Sequence, residues 1–490
     1  MKSLGKNIAF KFILNIFNVG IPIIVGPYLV RKLGANMIGN FNFAQSVYNY
    51  FYIFANFGVY QFAVRELSRV RDDESRLSSI FTNLFCVTTI TTLITLCAYI
   101  MVINKFYAND TVLYYIFLVL TVNFFSNVIY IEWANEALEN YDFITVKTVV
   151  IKTFYTVLIF LLVRNIGDYK IYAKLLVLST FLNNIVSYIY IKKRIKFNFK
   201  NLHFTQYLKP MFWVVLISNA NILFTQLDIL LIGHFVNKTE VAFYSGCNTI
   251  MIMCNTIMIS IVSVTLPRVS NYLANNDDKK YLEVINKISK VFFMLMLPMS
   301  VGLFVLSDKI MLLYGGSEFY GVGRLFRIFC IYMISIGFEY ILANQVIYIH
   351  RRDKSLIKMI FTVGVINVLF KILLFTIGKF NPYTAIITTL ISNTILVILE
   401  YAYVKKELKL KIELFSKVTI KYFVIALSFI PINIVISMLI KNYIVNMAVT
   451  IIVCIMMYFI LLNICKDDTY IFLRDKFKAK IYNKLNRNIQ

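Results

Sequence analysis

About fourteen long apolar runs, joined by short and mostly basic segments, fill nearly the whole chain. A helix crossing a hydrocarbon core needs about 20 predominantly apolar residues. Only helices and closed barrels satisfy their backbone polar groups in that medium. The runs lie near 8–30, 42–62, 79–103, 112–131, 143–163, 171–191, 211–235, 242–266, 288–307, 325–349, 357–377, 383–404, 418–440 and 444–464. They predict an all-α integral membrane protein of about 14 transmembrane helices. Little chain remains for a soluble catalytic domain. The longest connections are 192–210 and 267–287, and the tail from about 466 reads as a helix on the membrane surface.

The composition agrees. Of 490 residues, 59% are hydrophobic and 15% charged, where a soluble domain has about half and a quarter. The formal charge of +25 would suggest nucleic acid in a soluble protein. Here it follows from loop charges that orient spans, and it argues against a nucleic-acid partner. Assigning alternate loops to alternate sides gives a Lys and Arg ratio of about three to one. The richer side carries both termini, so both are expected in the cytoplasm of a multi-pass protein. The basic, apolar start MKSLGKNIAFKFILNIF lacks a small-residue cleavage site and reads as the first span. One loop on the basic side, IEWANEALENYD, holds four acids and no base, which marks it for a specific role or as a solvated turn.

Seven cysteines without a CxxC pair, and three scattered histidines (His203, His234, His350), predict no disulfide framework, metal site or cofactor. The two halves echo each other at an offset of about 203 residues. Gly39–Arg65 falls on Ala242–Arg268, so that Phe41 meets Tyr244, Val59 meets Val262 and Arg65 meets Arg268. Repeats of this kind are typical of transporters. They predict an N-lobe of helices 1–6 (1–195), a C-lobe of helices 7–12 (205–408), helices 13–14 (412–465) and a basic cytoplasmic tail (466–490).

Charges inside hydrocarbon are costly and usually functional. Lys11, Lys147, Lys152, Lys174, Arg327, Lys371 and Lys421 fall within runs. Lys174 and Arg327, near run ends, fit snorkelling. Lys147 and Lys152 are five apart, within about 140° on one helix. Such cations suit a phosphate or pyrophosphate group. Asp228, beside Asn219, Asn221 and Gln226, and Glu339, beside Asn344 and Gln345, are candidate buried acids. They could face a sugar, a cation or a proton, or pair with one of the lysines. Pro22 and Pro27 in the first run predict a bent or loosened helix, either a static kink or a moving gate.

PYLVRKLGANMIGNFNFAQS (27–46) and FGVYQFAVRELSRVRDDESRLSSIFTNLF (57–85) resemble the start of Wzx-type polysaccharide flippases. IEWANEALENYDFITVKTVVIKT (131–153) resembles their fourth loop, and QLDILLIGHFVNKTEVAFYSGC (226–247) with VTLPRVSNYL (264–273) resembles the opening of their second lobe. The likeness runs over essentially the whole chain, and the superfamily, MOP, also holds lipid II flippases and MATE-type exporters. Where many relatives carry EWFYQGLE, this chain has Ala134, Asn135 and Ala137, so the aromatic pair is missing. The resemblance implies an alternating-access carrier of the bacterial cytoplasmic membrane. It would move undecaprenyl-pyrophosphate-linked oligosaccharide from the cytoplasmic to the outer leaflet, driven by Na+ or H+, alongside other polysaccharide assembly proteins. It implies Lys11, Arg31, Arg65, Arg268 and Lys371 near a cationic cavity or its gate, Lys147 and Lys152 facing inward, and Asp228 and Glu339 as coupling or gating acids.

Two other functions compete. A MATE-like cation or drug exporter wants an acid-lined pocket, whereas intramembrane cations outnumber acids here. An integral-membrane glycan polymerase or glycosyltransferase wants a large outer loop, and the outer loops are mostly under about twenty residues with no DxD and no nucleophile–base constellation. The reading is a transporter, not an enzyme.

Overall fold

The computed structural model describes residues 4–200, 202–218, 224–263, 265–275 and 277–476. Helices make up the fold, with no strand among the described residues. They form two compact units, Met1–Gly246 and Cys247–Gln490.

The first unit contains α1 (Leu4–Leu33), α2 (Ala35–Asn56), α3 (Val59–Arg69), α4 (Glu74–Tyr107), α5 (Thr111–Val128), α6 (Glu132–Ala137), α7 (Tyr141–Leu162), α8 (Tyr169–Lys192), α9 (Thr205–Ser218), α10 (Thr225–Phe235) and the start of α11 (Lys238–Ser263). The second contains the rest of α11 and α12 (Leu266–Ala274), α13 (Asp278–Val305), α14 (Ser307–Gly315), α15 (Gly323–Tyr340), α16 (Asp353–Thr376), α17 (Pro382–Lys406), α18 (Lys417–Leu427), α19 (Phe429–Leu439) and α20 (Tyr443–Ile464).

Among the described residues, twelve helical stretches are long and apolar enough to cross a membrane. The second and seventh of the expected runs are not among them. The second run breaks at Phe57 and Gly58, both with positive φ (43° and 70°), which ends α2 and starts the amphipathic α3. Of the seventh, the described residues lie in or next to α9 and α10, and 219–223 fall outside the described residues. The repeat seen in the sequence takes the same form in both places: a long helix (α2, α11), then a short amphipathic one (α3, α12) bearing Arg65 or Arg268. In the first run, α1 is helical throughout, with Pro22 and Pro27 inside it.

Ends are set by local chemistry. Asp73, Asp110, Asp277, Ser416 and Asn442 accept from backbone N–H groups of the first turn that would otherwise lack partners. Asn381 forms a capping box with Thr384 ahead of Pro382.

Between helices in lipid, close packing and interhelical hydrogen bonds replace the hydrophobic driving force. In the first unit Asn127 donates to Thr92 (2.8 Å), Thr91 to the Ala55 carbonyl (2.8 Å), and Asn184 to Ser126 (2.9 Å). A Cβ on Gly39 would strike the Lys238 backbone, and one on Gly233 the Phe43 ring, so both glycines permit the approach of α2 to the α10–α11 corner. In the second unit Tyr458 donates to the Met294 carbonyl (2.7 Å) and Ser300 to that of Cys330 (2.5 Å). There α15 continues into a π-helical stretch, Ile341–Ile347, directly after Glu339 and Tyr340. Helix irregularities of this kind often accompany function.

Candidate transport site

Lys147 lies on α7 with its side chain only 2% exposed. It shares the buried face of α7 with Ile144, Thr145 and Thr148, and α6 and α8 meet it with polar groups. Its Nζ donates to both Glu132 oxygens (3.0 and 2.9 Å), to Ser187 Oγ (2.5 Å) and to the Asn183 carbonyl (3.3 Å). Ser187 in turn donates to Glu132. The Phe143 ring, stacked on Tyr190 at 3.7 Å, lies 5.7 Å from the ammonium. A groove of about 520 Å³ along α7 and α8 includes Phe143, Val146, Lys147, Val150 and Val186 in its lining. Val146 and Val150 are exposed, so this groove opens on a face suited to lipid.

Lys152, half-buried one and a half turns further along α7, donates to Asn18 Oδ1 of α1 at 2.6 Å. Its partner is a neutral amide. The two lysines are thus neighbours along one helix but are held differently, one by an acid and one by an amide. Thr145 also reaches α1, donating to the Phe10 carbonyl (3.1 Å).

The remaining expected cations take other positions. Arg31 is exposed at the last turn of α1. Arg65 is exposed and pairs with Glu66 (2.9 Å). Arg268, in the second unit, is exposed and donates to Tyr272 (3.2 Å). Lys371 on α16 is buried, with Thr389 Oγ1 of α17 at 3.4 Å. The Lys11 side chain, Asn219 and Asn221 lie outside the described residues. Of the cations read as snorkelling, Lys174 is exposed. Arg327 instead binds Asp308 and Ser307.

Both expected acids meet neutral donors. Asp228, fully buried on α10, accepts from Tyr244 of α11 (2.5 Å). Glu339 accepts from Asn393 of α17 (3.3 Å), and Asn393 accepts from Ser335 (2.6 Å). On α17 the buried Thr389, Asn393 and Glu400 share a face at spacings of four and seven. Glu400 is 0% exposed, and among the described residues neither of its carboxylate oxygens has a hydrogen-bond partner.

Glu132, Ser187, Asn18 and Glu400 escape a reading of residue types alone. Glu132 had one signal, the acidic loop on the basic side. Glu400 had another, an acid eleven residues after Thr389 within the same apolar run.

In comparisons with known proteins, the sequence pattern of the family described as “Polysaccharide biosynthesis protein” matches residues 4–273. That of “Lipid II flippase MurJ” matches 171–454. The chain belongs to the polysaccharide biosynthesis protein family. Within it the chain is a membrane transporter of the Wzx type in the MOP superfamily, not an enzyme. Two relatives are each named “Putative O-antigen transporter”. The protein from Escherichia coli (strain K12) is 22% identical over 60% of this chain and 73% of its own length. That from Shigella dysenteriae is 20% identical over 74% and 91%. Among solved structures, lipid II flippase MurJ in an inward closed conformation aligns over 96% of this chain and 99% of its own, with a TM-score of 0.72 and 17% identity. A multidrug resistance MATE family transporter aligns over 81% and 94%, with a TM-score of 0.60 and 14% identity. These likenesses concern the fold. The flippase is a multi-pass membrane protein.

Proposed function

We propose that this flippase carries a polyprenyl-pyrophosphate-linked oligosaccharide from the cytoplasmic to the outer leaflet of a bacterial cytoplasmic membrane by alternating access. The observation that carries the reading is the pair of lysines on α7, one buried and one half-buried. Lys147 borders a groove open to the lipid face, and Lys152 is held only by an amide. Ammonium groups at membrane depth match phosphate oxygens in charge and geometry. The names of the two O-antigen relatives, and the lipid II flippase with the same fold, support a lipid-linked glycan as cargo.

A second surface suits the other end of such a cargo. In the second unit an almost wholly apolar pocket of about 450 Å³ is lined by residues including Met258, Met294, Pro298, Phe429, Ile451 and Tyr458. Branched hydrocarbon binds there by area burial and dispersion alone. Glu339 and Glu400 form the acid-bearing part of the same unit and would take the coupling cation, Na+ or H+. Arg31, Arg65, Arg268 and Lys371 stay assigned to headgroup passage, Asp228 to gating, and both termini to the cytoplasm.

The test is the leaflet distribution of lipid-linked glycan in cells lacking the protein and in cells restored with it. Intact lipid-linked units should collect on the cytoplasmic face only in its absence. An unchanged distribution with altered drug sensitivity would replace this reading with drug export.

A further inference from the structure

An ammonium group has three N–H bonds, and on Lys147 all are engaged: by Glu132, by Ser187 and by the Asn183 carbonyl. A phosphate oxygen can reach that nitrogen only by displacing one of them. Glu132 is the charged member of the set and the one whose loss changes the electrostatics most. It sits on α6, a helix of six residues that is itself immobilised: Trp133, Ala134 and Asn135 are fully buried, and α6 packs on α3, α7 and α8. The exchange therefore falls to rotation of the Glu132 side chain, with Ser187 still able to donate to the displaced carboxylate.

Resting on Lys147 as the headgroup site of this flippase, we propose that Glu132 is the specificity-determining residue of that site. Its carboxylate competes with cargo for Lys147 and yields only to a ligand carrying more than one negative charge. Swapping one monoanion for another leaves a buried carboxylate without its cation and returns nothing. A pyrophosphate brings further charge-assisted bonds. The acid in the fourth loop thus acts as a charge filter against singly charged lipids.

The experiment is calorimetric binding of inorganic pyrophosphate and of dimethyl phosphate (the phosphate probe, a permanent monoanion) to the full chain in detergent. It compares the wild type, Glu132→Gln, and the double variant Glu132→Gln with Lys147→Gln. Glu132→Gln should bind pyrophosphate roughly tenfold more tightly, a change of ~1.4 kcal/mol. It should gain still more for phosphate, narrowing the preference between them, while the double variant loses both gains. If Glu132→Gln leaves both affinities unchanged and the double variant binds more weakly, Lys147 holds the anion but Glu132 does not filter it. If the double variant binds as the wild type does, the Lys147 site itself is overturned, and the filter with it. Should Glu132→Gln fail to fold, Glu132→Asp keeps the charge but shortens the reach, and it must shift both affinities in the same direction.

Discussion

Lys147 and Lys152 show how a buried cation's partner decides what a substitution does. Removing one member of a buried ion pair leaves the other uncompensated and costs about 3–5 kcal/mol, whereas replacing both is often neutral. Lys147→Met should therefore lower the thermal unfolding temperature in detergent markedly, and Lys147→Met combined with Glu132→Gln should restore most of it. Lys152 bonds a neutral amide, so Lys152→Met leaves no orphaned charge. Its folded yield and melting should stay near wild type, while lipid-linked glycan export falls by an order of magnitude or more. Wild-type export from that variant would remove Lys152 from the headgroup path. The two lysines looked equivalent in the sequence, being cations five residues apart in one apolar run. Their difference comes from Glu132, 15 residues away, and Asn18, 134 residues away, which spacing along α7 cannot reveal.

Among elements, the tightest approaches lie at glycines and the sharpest ends at capped loops. Gly39 faces the Lys238 backbone with no space for a Cβ. Gly39→Leu should force α2 away from the α10–α11 corner, at the 1–3 kcal/mol typical of overpacking or more. The measurement is the fraction of monodisperse protein after extraction, and Gly20→Leu, where a Cβ meets nothing, is the control. At the other end of the chain, Asp467 is buried and pairs with Lys421 while accepting from Tyr422 (3.1 Å) and the Tyr470 N–H (3.0 Å). Burial alone would raise its carboxyl, but the bonds from Lys421 and Tyr470 outweigh it and hold the group below its usual value. For a carboxyl lowered in the folded state, the stabilisation is complete above the ordinary value of about 3.9. It disappears as pH falls through the lower folded one. Docking of the helical stretch 468–476 should accordingly survive neutral and mildly acidic pH and fail only in stronger acid, read as protease cleavage after Asp467. Cleavage that begins near pH 6 would refute the assignment. Helix existence was legible here from apolar runs, and so were several caps. The division of the second run was not. It depends on positive φ at Phe57 and Gly58 and on what packs against α3, while the run itself stays apolar.

Across the whole molecule, the loop charges make a claim that no contact within either unit states. If the basic segments orient the chain, a reporter fused after Gln490 should be active only in its cytoplasmic form. Fusions in the 308–322 segment should report the opposite side. A C-terminal reporter active outside would reverse the direction of transport as well. By itself the sequence determined the solvent, the helical class and the family, because hydrocarbon length and backbone hydrogen bonding leave few alternatives to an apolar helix. It also marked the cations and acids that fall within apolar runs. What only the tertiary structure decided is which of them meet. Lys147 is closed by Glu132, Lys152 is left with an amide, and Glu400 is buried without a hydrogen-bond partner among the described residues, beside the Glu339 network. Charge pairing is settled by side chains arriving from different helices over a few ångströms, and hydropathy carries no record of that geometry.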